Sequence, residues 1–172
     1  MENAGHFGHN EVMDILTTRS ITELLALHAA ILEELRARNV LRTANNPTGD
    51  LAEYLFCAAF GWAQENNSAK AFDATDESGK RYQIKGRRIH RRNRSRQMSA
   101  IRDPKGFDIL AAVLFDDDYR ILRAALIPAI VVREHSKFIE HTNSHKFLLR
   151  DTIWEAAGVI DATEPLRKVE GL

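Results

Sequence analysis

The order of the predicted elements indicates an α/β or α+β fold, in which helices flank one mixed central β-sheet. Apolar residues recur at helical spacing in the first 62 residues of the 172-residue chain, and four strand-like segments follow between residues 71 and 128. A helical pattern then resumes at Pro128. Because the length fits one domain with a small addition, we expect an N-terminal helical appendage over residues 1–43 and a main domain over residues 44–172.

A short helix over residues 11–19, capped by Asn10, and then two main helices are predicted before the first strand. In the first, over residues 20–42, Ser20 followed by Glu23 is the signature of a capping box, and leucine and isoleucine recur at helical spacing. Its apolar stripe is broad enough to pair two copies of the chain, so a homodimer is one expectation. The second helix, over residues 50–62, is more apolar and should be more buried, and Gly61 is its predicted C-cap.

A β-hairpin is predicted from the strands Ala71–Asp76 and Lys80–Gly86. The three residues between them suit a type I turn followed by a G1 bulge, with Gly79 at the left-handed position. This register sets Asp73 opposite Gln83, with their Cβ atoms about 5 Å apart on one face. Lys85 follows two residues after Gln83 on the same face, and the opposite, core face takes Phe72, Ala74, Tyr82 and Ile84.

The rest of the chain supplies the remaining elements. Residues 106–115 are almost continuously apolar, which is typical of a central strand. The first nine residues show no pattern and are expected to be disordered, and residues 64–70 are expected to form a loop. The other predicted elements are a partner strand over 119–128, a helix over 128–141, a short strand over 144–150 and a helix capped by Asp151 over 151–159.

The formal net charge is zero, but the cations are unevenly distributed. Eleven Lys and Arg residues lie between Lys80 and Lys105 against one acid, Asp103, and the rest of the chain holds 13 cations and 23 acids. Such a local positive field attracts polyanions. The segment shows no pattern that faces a core, so the alternative is a solvated loop without a partner.

The sequence offers no sign of a membrane or an oxidising setting. No apolar run approaches the roughly 20 residues that span a bilayer. The N-terminus lacks the basic-then-apolar order of a signal peptide. With Cys57 as its single cysteine, the chain cannot form an internal disulfide, so a cytoplasmic protein without a membrane partner is expected.

The hairpin and the helix before it resemble the PD-(D/E)XK nuclease superfamily. Asp73 matches the strand Asp of the motif, Gln83 and Lys85 match the two ends of (D/E)-x-K, and Glu53 in "GDLAEYLF" matches the acid of the helix. The resemblance covers about residues 48–127. It implies a restriction-endonuclease-like fold and a magnesium- or manganese-dependent DNA endonuclease, with restriction or defence as a role often found among such relatives.

The resemblance also implies a role for each residue of the motif. Asp73, the side-chain oxygen of Gln83, the carbonyl of Ile84 and Glu53 would hold the metal ion, which suits the preference of magnesium for oxygen ligands. Lys85 would orient the nucleophile and stabilise negative charge. Gln83 departs from the usual acid, and an amide oxygen is a weaker ligand than a carboxylate. A non-catalytic DNA-binding module on the same fold is therefore the alternative.

The seven cations from Lys85 to Arg96 form what we call the arginine-rich segment. Guanidinium groups bind phosphate oxygens in a bidentate manner, so this segment is predicted to contact DNA phosphates beside the cleaved one. Arg87 and Arg88 are nearest the sheet and should be ordered there. Four further residues are expected to become ordered only on binding: Arg91, Arg92, Arg94 and Arg96.

Several of these residues have competing interpretations. Asp50 followed by Glu53 is also a capping-box pattern, and Asp76 is favoured as the residue that enters the turn. His90 would be the general acid or base of a metal-independent ribonuclease, a third possible function. The spacing of "HTNSH" recurs in zinc sites, but no cysteine or third ligand lies nearby.

Overall fold

The computed structural model describes residues 9–65 and 71–169. The disorder expected at the N-terminus and most of the loop expected at 64–70 lie outside the described residues. The chain divides into two compact units, Met1–Arg42 and Thr43–Leu172. None of the helices in the described part is long and apolar enough to cross a membrane.

The first unit contains the helices α1 (His9–Thr17) and α2 (Ile21–Ala37). The predicted capping box of α2 is confirmed. The Ser20 hydroxyl accepts a hydrogen bond from the Glu23 N–H at 3.3 Å, and the Glu23 carboxylate accepts one from the Ser20 N–H at 2.8 Å. No residue of α2 is buried, so its apolar stripe is exposed.

The second unit begins with the helix α3 (Pro47–Phe60). Asn46 caps it by accepting a hydrogen bond from the Thr48 N–H, and Pro47 occupies the first turn, where its missing N–H costs nothing. The helix ends at Gly61, whose φ of 66° confirms the predicted C-cap. As expected, α3 is more buried than α2.

Strands form the centre of the second unit, and the described residues contain more of them than the five predicted. Two further helices follow the main strands, α4 (Ala129–His135) and α5 (Thr163–Arg167). Short 3₁₀ helices span Glu140–Thr142 and Asp151–Glu155. The strands are β1 (Ala63–Gln64), β2 (Ala74–Thr75), β3 (Arg81–Arg88), β4 (Ile109–Phe115), β5 (Ile121–Pro128), β6 (Ser136–Ile139), β7 (Ser144–Phe147) and β8 (Ile160–Asp161).

The predicted mixed sheet is confirmed, and the class is α+β. Six strands pair in the order β1-β2-β3-β4-β5-β8, and β6 and β7 form a separate ribbon. Only β3 and β4 are parallel in the six-stranded sheet as described; the other neighbours are antiparallel. The restriction-endonuclease-like arrangement expected from the motif remains a prediction.

Each face of the sheet carries its own hydrophobic core. On the first face, α3 and α5 cover a cluster that includes Phe56, Trp62 and Tyr82, and the Trp62 and Tyr82 rings stack with centroids 3.7 Å apart. On the second face, the largest buried side chains are Met98, Ile101, Phe107, Leu110, Leu114, Ile127, Phe147, Leu149 and Ile153.

Three predicted elements differ in the structure. The strand expected over 71–76 is restricted to β2, and Phe72 packs against the second core rather than the first. The helix expected over 128–141 ends at His135, because the next four residues pair with β7 and that pairing outweighs helical spacing. The segment expected as a helix capped by Asp151 is a 3₁₀ helix that begins there, with Arg150 as its N-cap.

The connection between β3 and β4, residues 89–108, crosses the second face of the sheet. Two parallel strands need such a crossover, which is usually an α-helix, but this one contains no helix. It is held by the buried side chains of Met98, Ile101 and Phe107. The prediction that this stretch lacks core-facing residues is therefore wrong. Its few apolar residues are isolated among cations and show no regular period, so the sequence does not reveal that they are buried.

Gly86 in β3 allows α3 to approach the sheet closely. A Cβ atom at this position would lie 2.6 Å from the Thr48 carbonyl oxygen and 3.0 Å from the Ala52 Cβ. The first of these contacts is with backbone, which cannot move aside as a flexible side chain would. Any larger residue at this position would therefore displace the first turn of α3.

We predict that Gly86→Ala lowers the free energy of unfolding by about 1–3 kcal/mol, the usual cost of overpacking. Equilibrium urea denaturation measures this change. The control is Gly49→Ala, because a Cβ there meets nothing within 4 Å and alanine favours a helix. Equal stability of Gly86→Ala and wild type would contradict the close approach.

Candidate active site and nucleic-acid interface

The turn of the β2–β3 hairpin has the predicted geometry. The Asp76 N–H donates to the Lys80 carbonyl at 3.2 Å, and the Gly79 N–H donates to the Asp76 carbonyl at 2.9 Å. Gly79 has a φ of 79°, as the bulge position requires. The ladder pairs Ala74 with Tyr82, which confirms the predicted register.

Asp76 stabilises this turn, as its position suggested. Its carboxylate accepts hydrogen bonds from the Ser78 N–H and hydroxyl, the Lys80 N–H and the Tyr82 hydroxyl at 2.6 to 3.0 Å. The hydrogen bonds from the Ser78 and Tyr82 side chains are the main causes that lower the pKa of Asp76 to about 2. Burial, together with this bond to Asp76, raises the pKa of the Tyr82 hydroxyl.

Asp73 lies one residue before β2, at the edge of β3. Its N–H donates to the Tyr82 carbonyl at 2.8 Å, and its carboxylate accepts a hydrogen bond from the Ile84 N–H at 2.7 Å. The N–H and C=O of one strand residue point to the same side, so the Ile84 carbonyl faces the edge where Asp73 lies. Two of the predicted metal ligands, the Asp73 carboxylate and the Ile84 carbonyl, therefore lie at one edge of β3.

Gln83 and Lys85 alternate with Tyr82 and Ile84 and so lie on the second face of the sheet. Both residues are half-buried, so this face is not simply exposed as expected. No ion pair joins Lys85 to another described residue. The predicted register sets Asp73 across from Gln83, but the Asp73 carboxylate points along the ladder toward the backbone of β3 rather than out of a face.

Glu53 is half-buried on α3 and does not belong to a capping box. The N-cap of α3 is Asn46, and the Asp50 carboxylate instead accepts a hydrogen bond from the Thr43 N–H at 2.7 Å. The capping interpretation of Glu53 is therefore wrong. Its carboxylate accepts a hydrogen bond from the Gln64 side-chain N–H at 2.7 Å.

The sequence did not predict that Gln64 and Glu65 lie near Asp73. Gln64 in β1 pairs with Ala74 and links Glu53 to this end of the hairpin. The Glu65 N–H donates to the Asp73 carbonyl at 2.9 Å, so the backbone of a further half-buried acid, Glu65, lies beside that of Asp73. Both residues fall in a polar stretch that composition assigns to a loop, and only the pairing of β1 with β2 reveals their position.

The predicted metal ligands suit magnesium by their chemistry. Residues 9–65 and 71–169 contain no group of three or more His, Cys, Asp or Glu side chains arranged to hold a metal ion. The predicted set does not depend on such a group, since it combines the two acids Asp73 and Glu53 with the Gln83 amide oxygen and the Ile84 carbonyl. All four are oxygen ligands, which magnesium prefers together with several waters.

Two other polar groups, Asp108 and His145, have structural partners of their own. Asp108 accepts three hydrogen bonds from Arg81, one from the backbone N–H and two from the guanidinium, and these bonds lower the pKa of its carboxyl. Asp108 therefore fixes the start of β3. His145 Nδ1 is bonded to the Ser136 hydroxyl at 3.2 Å, so this histidine has a structural partner.

The arginine-rich segment is partly fixed by the fold. Arg87 donates from Nε to the Ser95 carbonyl at 3.0 Å. Arg88 donates to the Asp117 carbonyl and lies 4.6 Å from the centroid of the Tyr119 ring. As predicted, these two arginines are held at the end of β3.

The four later arginines differ from one another. Arg96 forms an ion pair with Asp151 at 2.8 Å, so the expectation that it becomes ordered only on binding is wrong. The reason is the nearby Met98, which anchors this part of the connection in the second core. Arg91 lies 3.4 Å from the Asp117 carboxylate and is 89% exposed. Arg92 and Arg94 are exposed.

No family model matches this chain, and no curated protein sequence matches it either. The assignment of a site therefore depends on the geometry of the hairpin and of the arginine-rich segment.

We predict that Asp76→Asn lowers the stability of the protein near neutral pH, and that this deficit shrinks as the pH falls from about 4 to 2. The pKa of Asp76 is depressed to about 2, so its charged form contributes stability above the unfolded pKa, and this contribution is lost as the pH falls through the folded pKa. Urea denaturation at several pH values measures the difference between the two proteins. Glu77→Gln removes a charge from the exposed side of the same turn and should change stability little; a pH-independent deficit in Asp76→Asn would contradict the assignment.

Proposed function

We propose that this protein is a magnesium- or manganese-dependent DNA endonuclease of the PD-(D/E)XK type, which hydrolyses phosphodiester bonds. The observation that carries the proposal is the 2.7 Å hydrogen bond between the Asp73 carboxylate and the Ile84 N–H. It sets an acid beside the backbone of Gln83-Ile84-Lys85, where the arginine-rich segment begins.

Asp73 and the Ile84 carbonyl would hold the metal ion at the edge of β3, and the Gln83 side chain would reach it from the second face of the sheet. Glu53 lies on α3, which covers the first face, and would contribute directly or through a water molecule. The bound ion supplies charge to neutralise the phosphate and acidity to activate a water molecule. The hydrogen bond from Ile84 fixes the orientation of Asp73, which limits the rearrangement needed to bind the ion.

Lys85 supplies the positive charge that stabilises the negative charge developing on the phosphate. No described acid forms an ion pair with it, so its charge is not neutralised by a neighbour in the described residues. Its half-buried position on β3 restricts the directions in which the ammonium can point.

The arginine-rich segment binds the flanking DNA phosphates. Arg87 and Arg88 are held at the end of β3, two and three residues beyond Lys85, and the exposed Arg91, Arg92 and Arg94 extend the positive surface. Such contacts depend strongly on salt and little on base sequence. Asp117 and Asp151 pair with some of these guanidiniums, so DNA must compete with internal carboxylates.

A non-catalytic DNA-binding module is the second candidate, and two observations favour it. Gln83 is neutral where the motif usually has an acid, and the Glu53 carboxylate accepts a hydrogen bond from Gln64. The neutral Gln83 lowers the negative charge of the site, and the hydrogen bond from Gln64 occupies one carboxylate oxygen of Glu53. The arginine-rich segment would then serve binding alone.

We predict that Asp73→Asn and Lys85→Ala each reduce DNA cleavage by about a hundredfold or more, because each removes a charge that acts on the reacting phosphate. The measurement is the conversion of supercoiled plasmid with magnesium, with manganese and with a chelator. Asp118→Asn and Lys137→Ala make the same changes at exposed positions and should cleave normally.

Full activity in a folded Asp73→Asn or Lys85→Ala variant would overturn this site. Cleavage of an RNA substrate in the presence of chelator would instead favour the metal-independent ribonuclease chemistry considered for His90. DNA binding without cleavage under any condition would favour the non-catalytic module.

We predict that Gln83→Glu makes the protein less stable without metal and more strongly stabilised by manganese. The new carboxylate lies across the hairpin from Asp73, so the two acids repel each other until a dication binds between them. At a given concentration, a ligand that binds the folded state more tightly stabilises it more, and thermal melts with and without manganese measure this gain. Gln97→Glu is the matched control outside the site. If manganese shifts neither wild type nor Gln83→Glu, this edge of β3 does not bind the ion.

A further inference from the structure

We propose that a polar cavity at the end of β3 binds one phosphate group of the substrate strand, next to the phosphate that is cleaved. The cavity has a volume of about 280 Å³. The identity of the ligand as a DNA phosphate rests on the proposed function, whereas the preference for an anion rests on the lining alone. Besides Gly86, that lining consists of Asn46, Thr48, Arg87, Arg88, His90 and Asn93.

The two asparagines have their NH₂ groups available as donors, because each side-chain oxygen already accepts a hydrogen bond from its own loop. The Asn46 Oδ1 accepts hydrogen bonds from the Thr48 N–H at 3.0 Å and from the Thr48 hydroxyl at 2.6 Å. The Asn93 Oδ1 accepts one from the Ser95 N–H at 3.0 Å. Each amide is thereby oriented with its NH₂ group as the end that donates to a ligand.

His90 also has a hydrogen-bond donor available for a ligand. Its Nδ1 accepts a hydrogen bond from the Arg92 N–H at 3.3 Å. A nitrogen that accepts carries no proton, so the neutral ring carries its proton on Nε2, which is a donor. The loop that closes the cavity is held by reciprocal backbone hydrogen bonds between His90 and Asn93 at 3.2 and 2.8 Å.

The charges of the lining favour an anion. Arg87 uses Nε on the Ser95 carbonyl and keeps its two terminal nitrogens as donors. The Asp117 carboxylate, 3.4 Å from Arg88, offsets part of the charge of that guanidinium. No acid is among the residues that line the cavity. A lining of donors and cations without an acid suits a phosphate, which offers acceptors only.

The cavity lies farther along β3 than Lys85. Asn46 and Thr48 at the start of α3 line it from the first face of the sheet, whereas the Lys85 side chain lies on the second face, so a substrate strand would reach both across the free edge of β3. Strand residues are spaced about 3.3 Å apart, so Arg87 and Arg88 lie about 7 to 10 Å beyond Lys85. Among the described residues, β3 beyond Ile84 pairs only with β4, so its other edge is open toward the side where Asp73 lies. By alternation, the N–H groups of Gly86 and Arg88 point to that open edge and add donors.

The test follows the ring signals of ¹³C-labelled histidines by NMR, with chelator present so that no cleavage occurs. The probes are inorganic phosphate and a tetranucleotide with either a 5′-phosphate or a 5′-hydroxyl. His90→Ala identifies the His90 signal by its loss. We expect inorganic phosphate and the 5′-phosphorylated tetranucleotide to move the His90 signal and to leave that of His141 in place.

The tetranucleotides separate the two sources of the phosphate. A shift with the phosphorylated form alone assigns the cavity to a 5′-terminal phosphate, and equal shifts with both forms assign it to an internal diester. His90→Ala should weaken DNA binding about tenfold, the effect of losing one hydrogen bond to a charged group, while His141→Ala should not.

An unmoved His90 signal with all three probes, at concentrations that saturate DNA binding in an anisotropy assay, overturns the proposal. That result leaves the nuclease proposal standing if plasmid is still cleaved. A His90 signal that moves with phosphate in a protein that neither binds nor cleaves DNA supports the anion site and removes the proposed function instead.

Discussion

The parallel pairing of β3 with β4 is the constraint on which the rest of the second unit depends. Since two parallel neighbours cannot be joined by a tight turn, the chain must leave the end of β3 and cross a face of the sheet to reach β4. The crossing begins four residues beyond Lys85, so the arginine-rich segment starts beside the candidate site. Buried Met98, Ile101 and Phe107 hold the connection to the second core without a helix. The cations can therefore remain at the surface, because the buried apolar residues of the connection hold it against the sheet.

The candidate site depends on a second constraint, the short hairpin before β3. Asp76 and Gly79 determine the turn, the turn determines the register, and the register brings Asp73 to the backbone of Ile84. Because β2 has only two residues, β3 is left open beyond this point, and a ligand can approach its edge. A longer β2 would cover that edge with ladder hydrogen bonds. The shortness of the strand thus matters as much for the proposed chemistry as the identity of the acid.

The close approach of α3 to β3 connects the helix to both proposed sites. Gly86 allows the first turn of α3 to lie against the strand, which brings Asn46 and Thr48 to the cavity. One helical turn further on, Glu53 is held by Gln64 in β1. The same helix therefore lines the proposed phosphate cavity with its beginning and carries the proposed fourth metal ligand within its length. Asp117 lies within ion-pair distance of Arg88 and Arg91 and so partly balances the charge of these two arginines.

The sequence by itself determined the features that are encoded over a few residues: the capping box of α2, the C-cap at Gly61, the three-residue turn with its register, and the apolar central strand β4. Each depends on local backbone geometry or on a simple alternation, so neighbouring residues suffice to specify it. Tertiary structure decided the rest. The N-cap of α3 at Asn46 excludes Glu53 from a capping box. The pairing of β1 with β2 places Glu65 near Asp73, and the pairing of β6 with β7 ends α4 at His135. The anion preference of the cavity required Asn46, His90 and Asn93 to meet. Each side chain is oriented by a hydrogen bond from a residue two positions later in the sequence. Asn46, however, is more than 40 residues from the other two, so only the folded chain brings them to one cavity.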